Sequence, residues 1–557
     1  MKKILIICFA IAITLTSCET WLKENYFGDA SPEDILNNEA NLILLVGQSY
    51  ADIRWLHDHW GYWGINTLTS DECVCPVRNP GGHWNDGGYW KDMNTHKWTP
   101  EDDAFENVWN TSISGAVLCN KTIADIAAMR EVASDTLTID RYIAELAVLR
   151  TYYFYTIFDC FGRIPYTEAF NEEPLVSEKP LMEAPEVWKK MVTCLELNKD
   201  KLPKTVDKAT YGRATWGFAN ALLARLYLNA ESYGVTGEDA LNANSNCARI
   251  CQEIIGSRQY AIESDFFSNF KINNEDSREN IFVIVEDGRG SFDARYNGSM
   301  MNKLRIVMLS LHYQHQQTWN LMEKPWNGFC APKEFIDKYD PIDRRGPGNE
   351  GNGTKNTQQW GWFVGPVYDA NGTIAKDENK QDVIISADIL SNTGIATIDS
   401  ASWNAGARIL KYELDKTKKF QYCENDFVLF RYADVLYMQA EAFIRGGSCT
   451  DSDLLTLLAN PDFQRIRTRA GLSPYTVSEL TITNIEELLD ERGREFAWEN
   501  VRHRDLIRFG KFADGSWSGW GSWRSVKSGE HLNWFPIPGP ILRKSTNGVW
   551  TQNSGYN

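Results

Sequence analysis

Three segments of this chain repeat apolar residues every three or four positions, and this pattern limits the possible folds more than any other property of the sequence. The segments run over residues 143–158, 219–230 and 429–443. Apolar residues at this spacing form one buried face of a helix, and small residues such as Ala147 and Ala433 let neighbouring helices approach closely. The pattern predicts a mainly α-helical fold whose helices pair like degenerate tetratricopeptide repeats.

The middle of the chain, from about residue 261 to about residue 425, has a different pattern. Helical periodicity fades there, glycine and asparagine crowd residues 346–353, and residues 281–285 form a short strand-like run. A long loop-rich region within a helical scaffold usually carries function. We therefore expect a single domain over residues 18–557, with a helical scaffold at about 32–260 and 426–510 and a loop-rich binding region at about 261–425.

The N-terminus has the features of a lipoprotein signal. Met1-Lys2-Lys3 precedes an apolar run that is about half as long as the ~20 residues needed to cross a bilayer. The run ends in Leu15-Thr16-Ser17-Cys18, which resembles the lipobox of bacterial lipoproteins. We expect residues 1–17 to be removed and Cys18 to carry the lipid, so that this anchor alone holds the protein at a membrane. An ordinary signal peptide is the alternative.

The net charge of the chain bears on two classes of ligand. The formal charge is −17 and the pI is about 5.1, whereas a protein that binds the phosphate backbone of nucleic acids needs a basic surface. We therefore expect no nucleic-acid partner. An anionic substrate would also need a local basic pocket, and the sequence contains no block of lysine and arginine.

The cysteines and histidines do not match a known metal motif. Of twelve cysteines, Cys8 leaves with the signal and Cys18 is used by the lipid. The pairs Cys73/Cys75 and Cys247/Cys251 are close in sequence, but neither has a second pair at the distance of a zinc site, which leaves local disulfides or buried free thiols. His57-Asp58-His59 lies among tryptophans, and we interpret it as a structural or ligand-facing polar cluster. We expect no cofactor and no metal.

Residues 71–98 combine the residue types that bind sugars. Glycines at positions 81, 82, 87 and 88 alternate with aromatic and polar side chains. A sugar ring packs its apolar C–H face on an aromatic plane, while its hydroxyls bond to polar side chains at the edge. The candidate ligand-binding residues in this stretch are Asp71, Arg78, His83, Trp84, Asn85, Asp86, Tyr89 and Trp90.

Short motifs in a fixed order along the chain resemble those of the SusD/RagB family of outer-membrane nutrient-binding lipoproteins. They are the lipobox with Cys18, residues 146–153, Phe161-Gly162-Arg163-Ile164-Pro165, residues 212–215 and 221–228, Arg431-Tyr432-Ala433-Asp434, residues 440–442 and 467–472, Glu491-Arg492-Gly493-Arg494-Glu495-Phe496, Phe535-Pro536-Ile537-Pro538 and residues 552–556. Their joint order covers nearly the whole chain. The chain departs from the family at Asn500, where glycine is usual, and in the tryptophan-rich residues 517–523, which match no family motif.

The resemblance implies a SusD-like fold and a role at the cell surface. The family's fold consists of tetratricopeptide-like helix pairs with irregular, binding-competent loops. Its members are lipid-anchored at the outer membrane, face the exterior, and bind mostly oligosaccharides, less often peptides, for a SusC-type TonB-dependent β-barrel transporter. In the family the early loop and a later aromatic stretch converge on one face. The residues that this adds are Tyr296, Tyr313 and Trp319, with Trp326, Trp360 and Trp362 further out.

A row of carboxylates invites an enzymatic interpretation, which the neighbouring charges oppose. Glu491, Glu495 and Glu499 stand one helical turn apart. A glycosidase needs two carboxylates across a sugar, one with a raised pKa, whereas the arginines among these three would keep them ionised. We therefore predict a salt-bridge network and no catalytic residues. A surface glycoside hydrolase and a lipoprotein that binds peptides or protein partners are the alternatives.

Overall fold

The computed structural model describes residues 39–79, 81, 84–131, 135–171, 176–286, 288, 305–348, 360–446 and 450–556. The signal sequence, Cys18, His83 and Tyr296 lie outside these residues, so what we predict for them stays a prediction. Within the described ranges, no helix is both long enough and apolar enough to cross a membrane.

Helices form most of the first half of the described chain. They are α1 (Glu39–Gly47), α2 (Ile53–Leu56), α3 (Tyr62–Thr69), α4 (Tyr89–Asn94), α5 (Asp103–Ala128), α6 (Thr136–Phe161), α7 (Ala184–Asn198), α8 (Trp216–Leu228) and α9 (Gly237–Ser257). The sequence sets both ends of α6. The Asp135 carboxylate accepts hydrogen bonds from the backbone N–H groups of Leu137 and Thr138, and Gly162 ends the helix with a φ of +70°.

Consecutive helices of this half pack against each other in pairs. α5 contacts α6, and α8 contacts α9. Gly115 allows the first contact, because a Cβ atom there would come within 2.3 Å of the Tyr153 ring. The apolar stripes predicted from the sequence are buried, at residues 144–161 in α6 and 216–224 in α8. The prediction of a mainly α-helical fold is confirmed.

The middle of the chain adds short strands and helices. They are β1 (Asn280–Ile284), α10 (Arg305–Ser310), α11 (His315–Trp319), α12 (Lys333–Ile336), β2 (Gly361–Phe363), β3 (Gly365–Pro366), β4 (Ile384–Ile385), β5 (Arg408–Leu410) and β6 (Phe427–Arg431). β1 pairs with β6, β2 with β5 and β3 with β4, all antiparallel. In the first pair Val283 lies opposite Val428. Since β6 runs directly into the next helix, this pair attaches the middle region to the helical scaffold.

The last part of the chain is again helical. Its helices are α13 (Tyr432–Arg445), α14 (Asp451–Leu458), α15 (Pro461–Arg469), α16 (Ile485–Glu495), α17 (Arg502–Arg508) and α18 (Gly539–Leu542). α13 contacts both α9 and α16, so it joins the two helical parts of the scaffold. One cluster of buried apolar side chains extends from Ile53 to Ile541 and includes residues of the middle region. That residues 18–557 form one domain stays a prediction.

Candidate functional site

Four partly exposed aromatic side chains form a surface that we call the aromatic patch: Trp60, Trp84, Tyr89 and Trp326. The ring centroids of Trp84 and Trp326 are 5.7 Å apart, and those of Trp60 and Tyr89 are 4.8 Å apart. Trp60 lies in the loop before α3, Trp84 in the loop before α4, Tyr89 at the first position of α4, and Trp326 in the loop between α11 and α12. The patch is therefore a product of the tertiary fold.

Buried rings form the base of the aromatic patch. Trp90 lies 4.7 Å from Trp60, and Phe329 lies 5.1 Å from Trp84, measured between ring centroids. The indole N–H of Trp90 donates a hydrogen bond of 2.8 Å to the Asp86 carboxylate. Each exposed ring of these pairs thus rests on a fixed, buried ring.

Backbone geometry brings Trp84 and Tyr89 into position. Gly87 and Gly88 have φ angles of +68° and +91°, which glycine adopts without strain, and they make the turn that starts α4. Gly328 lies directly against Trp84, because a Cβ atom at this glycine would come within 2.4 Å of the indole ring. The glycines of this site therefore provide both the turn and the space that the tryptophan needs.

The predicted residues of the 71–98 stretch fall into two groups. Those that are partly exposed at the patch are Trp84, Asn85, Asp86 and Tyr89. Asp71, Arg78 and Trp90 are buried, with at most 3% of their surface exposed. A buried side chain can touch a ligand only if the loops move, so in this conformation these three support the patch from within.

Asp71 fastens the start of this stretch to the C-terminal scaffold. Its two carboxylate oxygens accept hydrogen bonds of 2.7 and 2.8 Å from the Arg502 guanidinium in α17, and both side chains are buried. Burial alone would raise the pKa of Asp71, but the Arg502 charge outweighs it, so the pKa lies below its ordinary value. Asp71 is thus an ionised anchor at neutral pH.

Arg78 and Arg408 hold the loops behind the patch. Arg78 donates hydrogen bonds to the carbonyl oxygens of residues 327, 328, 402, 403 and 405. Arg408 donates to the side-chain oxygen of Asn327 and to the carbonyl oxygens of residues 403, 405 and 406. Two loops that are distant in sequence are therefore tied to the strand-like residues that carry Arg78.

The later aromatic stretch only partly faces the same surface. Tyr313 is 6% exposed, its ring lies 6.1 Å from that of Trp403, and the Lys324 ammonium lies 4.5 Å from its centroid. Trp319 is 1% exposed and stacks on His315 at 4.6 Å, so it belongs to the core. Of the outer candidates, Trp362 is also buried, Trp360 is half-buried against Phe267, and Trp326 is part of the patch.

Sequence reasoning missed part of this site. It did not select Trp60, Trp403 or Arg408 as ligand-site residues. Trp60 directly follows His57-Asp58-His59, and that neighbourhood was the available signal. His59 is buried, with its Nδ1 atom 2.6 Å from the Asp58 carboxylate, and its ring lies 5.4 Å from Trp84. The polar cluster is therefore part of the base of the patch. Nothing in the sequence marked the other two residues.

The described cysteines are buried thiols that form no disulfide bond with one another. They are Cys73, Cys75, Cys119, Cys160, Cys194, Cys247, Cys251, Cys330 and Cys423. Burial raises the pKa of the Cys119 thiol to about 12, which keeps it protonated and unreactive. Of the two alternatives for the pairs Cys73/Cys75 and Cys247/Cys251, the structure shows free thiols. Among the described residues, no group of three His, Cys, Asp or Glu side chains could hold a metal ion.

The row of carboxylates in and after α16 forms the predicted ion-pair network. Glu495 lies 2.6 Å from Arg469, 2.8 Å from Arg345 and 2.9 Å from Arg431. Burial would raise the pKa of Glu495, but these guanidiniums lower it to about 2. Glu491 and Glu499 are paired in the same way. A general acid needs a raised pKa, and this buried carboxylate has the opposite.

Two family models and a curated relative match most of the chain. The model described as "SusD family" matches residues 279–556, and the model described as "Starch-binding associating with outer membrane" matches residues 66–228. The starch-binding protein SusD of Bacteroides thetaiotaomicron is 25% identical to this chain over 525 residues, which cover 89% of this chain and 85% of that protein.

Solved structures share the fold. A SusD superfamily protein from Parabacteroides distasonis has a TM-score of 0.70 at 18% identity, covering 93% of this chain and 99% of the other. Surface glycan-binding protein A from Bacteroides thetaiotaomicron, in complex with laminarihexaose, has a TM-score of 0.65 at 19% identity, covering 92% and 99%. Together with the two family models, this likeness over the whole described architecture shows that the chain belongs to the SusD/RagB family.

Proposed function

We propose that this protein is a cell-surface lipoprotein that captures oligosaccharides at the aromatic patch and delivers them to a SusC-type TonB-dependent transporter. The observation that carries the proposal is the patch itself, with partly exposed indole rings supported by buried rings. The names of the relatives point the same way, since one is a starch-binding protein and another was solved with laminarihexaose.

The chemistry of the patch suits a sugar chain. The indole rings of Trp84 and Trp326 are inclined by 55° to each other, so they offer two planes for successive sugar rings. Asn85 and Asp86 are partly exposed beside Trp84 and supply the amide and carboxylate groups that hydroxyls bind. We assign ligand contact to these four residues together with Tyr89 and Trp60.

Removing single rings of the patch tests glycan binding. Trp84→Ala and Trp326→Ala should each weaken binding of a glycan ligand, found first by a screen of starch, laminarin and other polysaccharides, by about tenfold in isothermal titration. Trp550→Ala is the matched control, because that partly exposed ring packs against Trp109 and not against the patch. If both patch variants bind as tightly as the control, the patch is not the site.

Attachment to the outer membrane and partnership with a transporter complete the proposal. The lipobox-like sequence at Cys18 and the family model that mentions the outer membrane support this location. A lipid-tethered binding protein has no energy source of its own, so uptake needs a membrane pore.

Two experiments test this part of the proposal. Cys18→Ala should move the protein from the membrane fraction to the soluble fraction. Affinity purification of the unmodified protein in mild detergent should recover a large β-barrel protein in near-equal amount, and recovery of the lipoprotein alone would contradict the partnership.

We also propose that the protein is not an enzyme, against the alternative of a surface glycoside hydrolase. The most suggestive carboxylates, Glu491 and Glu495, are buried and ion-paired away from the patch. Incubation of the purified protein with any polysaccharide that it binds should release no new reducing ends. A steady release that survives further purification would favour the hydrolase.

A further inference from the structure

Two buried guanidiniums behind the aromatic patch share the same hydrogen-bond acceptors. The carbonyl oxygen of Trp403 accepts from Arg78 at 3.3 Å and from Arg408 at 3.0 Å. The carbonyl oxygen of Ala405 accepts from the same two residues at 2.9 and 2.8 Å. Arg78 is 3% exposed and Arg408 is 0% exposed. Two positive charges are therefore held side by side in the interior by neutral acceptors, which are backbone oxygens, the Asn327 amide oxygen and the Cys330 sulfur.

The other buried arginines of the molecule are compensated in a different way. Those with a carboxylate oxygen within 4 Å are Arg150, Arg345, Arg431, Arg469, Arg492, Arg494, Arg502 and Arg504. In the described part of the chain, Arg78 and Arg408 have no such partner. Arg524 has none either, and it donates to the carbonyl oxygens of Ser70 and Asn94 at the base of the same site. The uncompensated buried charges thus gather on the side of the molecule that carries the patch.

An uncompensated pair of this kind carries a free-energy cost that a nearby anion would offset. A guanidinium stays protonated in proteins, and carbonyl dipoles satisfy its hydrogen bonds without cancelling its charge. Burial and the neighbouring Arg78 charge together lower the pKa of Arg408 well below its ordinary value, which reflects the strain on the charged form. The eight buried arginines named above have a glutamate or aspartate nearby that offsets this cost, and Arg78 and Arg408 have none in the described part of the chain.

The arginine pair lies close beneath the surface where a ligand would bind. Gly328, whose carbonyl oxygen accepts from Arg78, is the residue that lies directly against the Trp84 ring. Ser402 and Asn404, on either side of the shared Trp403 carbonyl, are partly exposed. At the rim the Lys324 ammonium is exposed over the Tyr313 ring. The patch also carries the partly exposed Asp86 carboxylate, which would repel an acidic group next to Trp84, so the acidic group is placed on the side of Ser402 and Asn404.

We propose that the ligand of the aromatic patch is an acidic oligosaccharide, in which a carboxylate or sulfate group lies at the surface near Ser402 and Asn404 and is attracted by the buried charges of Arg78 and Arg408 without touching them, with Lys324 at the rim. This inference rests on the proposed function, since it names the class of glycan that the same patch binds. The fold brings together two arginines that are far apart in the chain. They form a local concentration of positive charge that the sequence alone does not display.

Matched pairs of charged and neutral sugars test the inference. Isothermal titration would compare oligogalacturonides with their carboxyl-reduced forms, and sulfated carrageenan oligosaccharides with their desulfated forms, beside starch and laminarin oligosaccharides. For at least one pair we expect the charged member to bind about tenfold more tightly at low salt, and this advantage to shrink as salt is raised. The pair that responds tells whether the acidic group is a carboxylate or a sulfate.

Variants then locate the effect. Arg408→Gln should remove most of the preference for the charged member, and Arg408→Lys should keep part of it. Because these variants could disturb the loops, Lys324→Gln is a second test at an exposed position, with Lys333→Gln as its exposed control. Lys324→Gln should weaken binding of the charged member about threefold more than binding of the neutral member.

The outcomes separate this inference from the function on which it rests. If neutral glycans bind as tightly as charged ones and binding does not depend on salt, the inference is wrong while the proposed glycan binding stands. A preference for charged sugars that Lys324→Gln and both Arg408 variants leave unchanged overturns the location. Absence of binding to every glycan, charged or neutral, overturns the proposed function and the inference together.

Discussion

Glu72 offers a quantitative test of the interior beneath the candidate site. Its side chain is 1% exposed, and its Oε2 atom accepts a hydrogen bond of 3.0 Å from the backbone N–H of Trp498. The other carboxylate oxygen, Oε1, is buried without a hydrogen-bond partner in the described structure. Burial raises the pKa of Glu72 from its ordinary value of 4.5 to about 8, although Arg502 acts in the opposite direction. The folded protein therefore holds a neutral acid here at neutral pH.

The raised pKa makes the protein less stable as the pH rises. In the unfolded chain Glu72 loses its proton above its ordinary pKa of 4.5, whereas the folded protein keeps that proton up to about pH 8. Between these two values unfolding releases a proton, so a higher pH favours the unfolded state. The difference between the two pKa values corresponds to about 5 kcal/mol, and relaxation around the charge reduces it, so we expect about 2–5 kcal/mol.

Glu72→Gln should remove this dependence on pH. The amide has nearly the same shape as the protonated acid, and its oxygen can accept the same hydrogen bond from Trp498. The free energy of unfolding would be measured in urea at about pH 5 and about pH 8.5. The wild type and the exposed control Glu530→Gln should lose about 2–4 kcal/mol more than Glu72→Gln over this range. Parallel pH profiles for all three proteins would refute the argument.

Three further substitutions separate support from ligand contact. Asp71→Asn should lower the free energy of unfolding in urea by about 3 kcal/mol, because the buried Arg502 charge then keeps only the more distant Asp490 carboxylate at 3.7 Å, and a loss below about 1 kcal/mol would contradict that role. Gly328→Ala should weaken glycan affinity with little change in far-UV circular dichroism, because the added methyl group displaces Trp84, and unchanged affinity would count against the patch. Trp319→Ala should cost about 3–5 kcal/mol of stability while the folded fraction still binds glycan, since the ring is 1% exposed, and the reverse result would place it at the ligand.

The scaffold could be predicted from the sequence because helix burial is a local property. In α6 and α8 the same apolar spacing that predicts a helix also defines the face that packs, so no knowledge of distant residues is needed. The departure from the family at position 500 has a local reason as well. Asn500 has a φ of +65°, and asparagine tolerates this left-handed conformation better than most other side chains.

The candidate site could be predicted only in part because it depends on tertiary contacts. Trp84 and Tyr89 stand in a glycine-rich stretch that marks a binding loop, but Trp326 joins them only through the fold. The same stretch also contains Trp90, which composition cannot distinguish from Trp84 although one is buried and the other partly exposed. Burial is decided by which distant segment covers a side chain, and a single sequence does not show that.

The tryptophan-rich residues 517–523 show how an unassigned motif can serve the site indirectly. Trp520 is buried, and its indole N–H donates to the carbonyl oxygen of Asp514 at 2.7 Å, which closes the loop on itself. The next arginine, Arg524, donates to the carbonyl oxygens of Ser70 and Asn94, which lie at the two ends of the predicted binding stretch. The loop thus fastens the base of the aromatic patch to the C-terminal part of the chain.

The buried ion pairs explain how a loop-rich region can present a preformed binding surface. Arg431 at the end of β6 contacts Glu279 before β1 at 2.5 Å and Glu495 in α16 at 2.9 Å, and Arg345 joins the middle region to Glu491 at 2.9 Å. Separating the middle region from the scaffold would break several of these buried pairs at once, and each broken pair costs up to about 3–5 kcal/mol, so the middle region stays in place against the scaffold. A surface that is fixed before the ligand arrives avoids the entropy of ordering loops on binding. Affinity at the patch should then depend on ring stacking and charge, which are the two quantities that the proposed variants change.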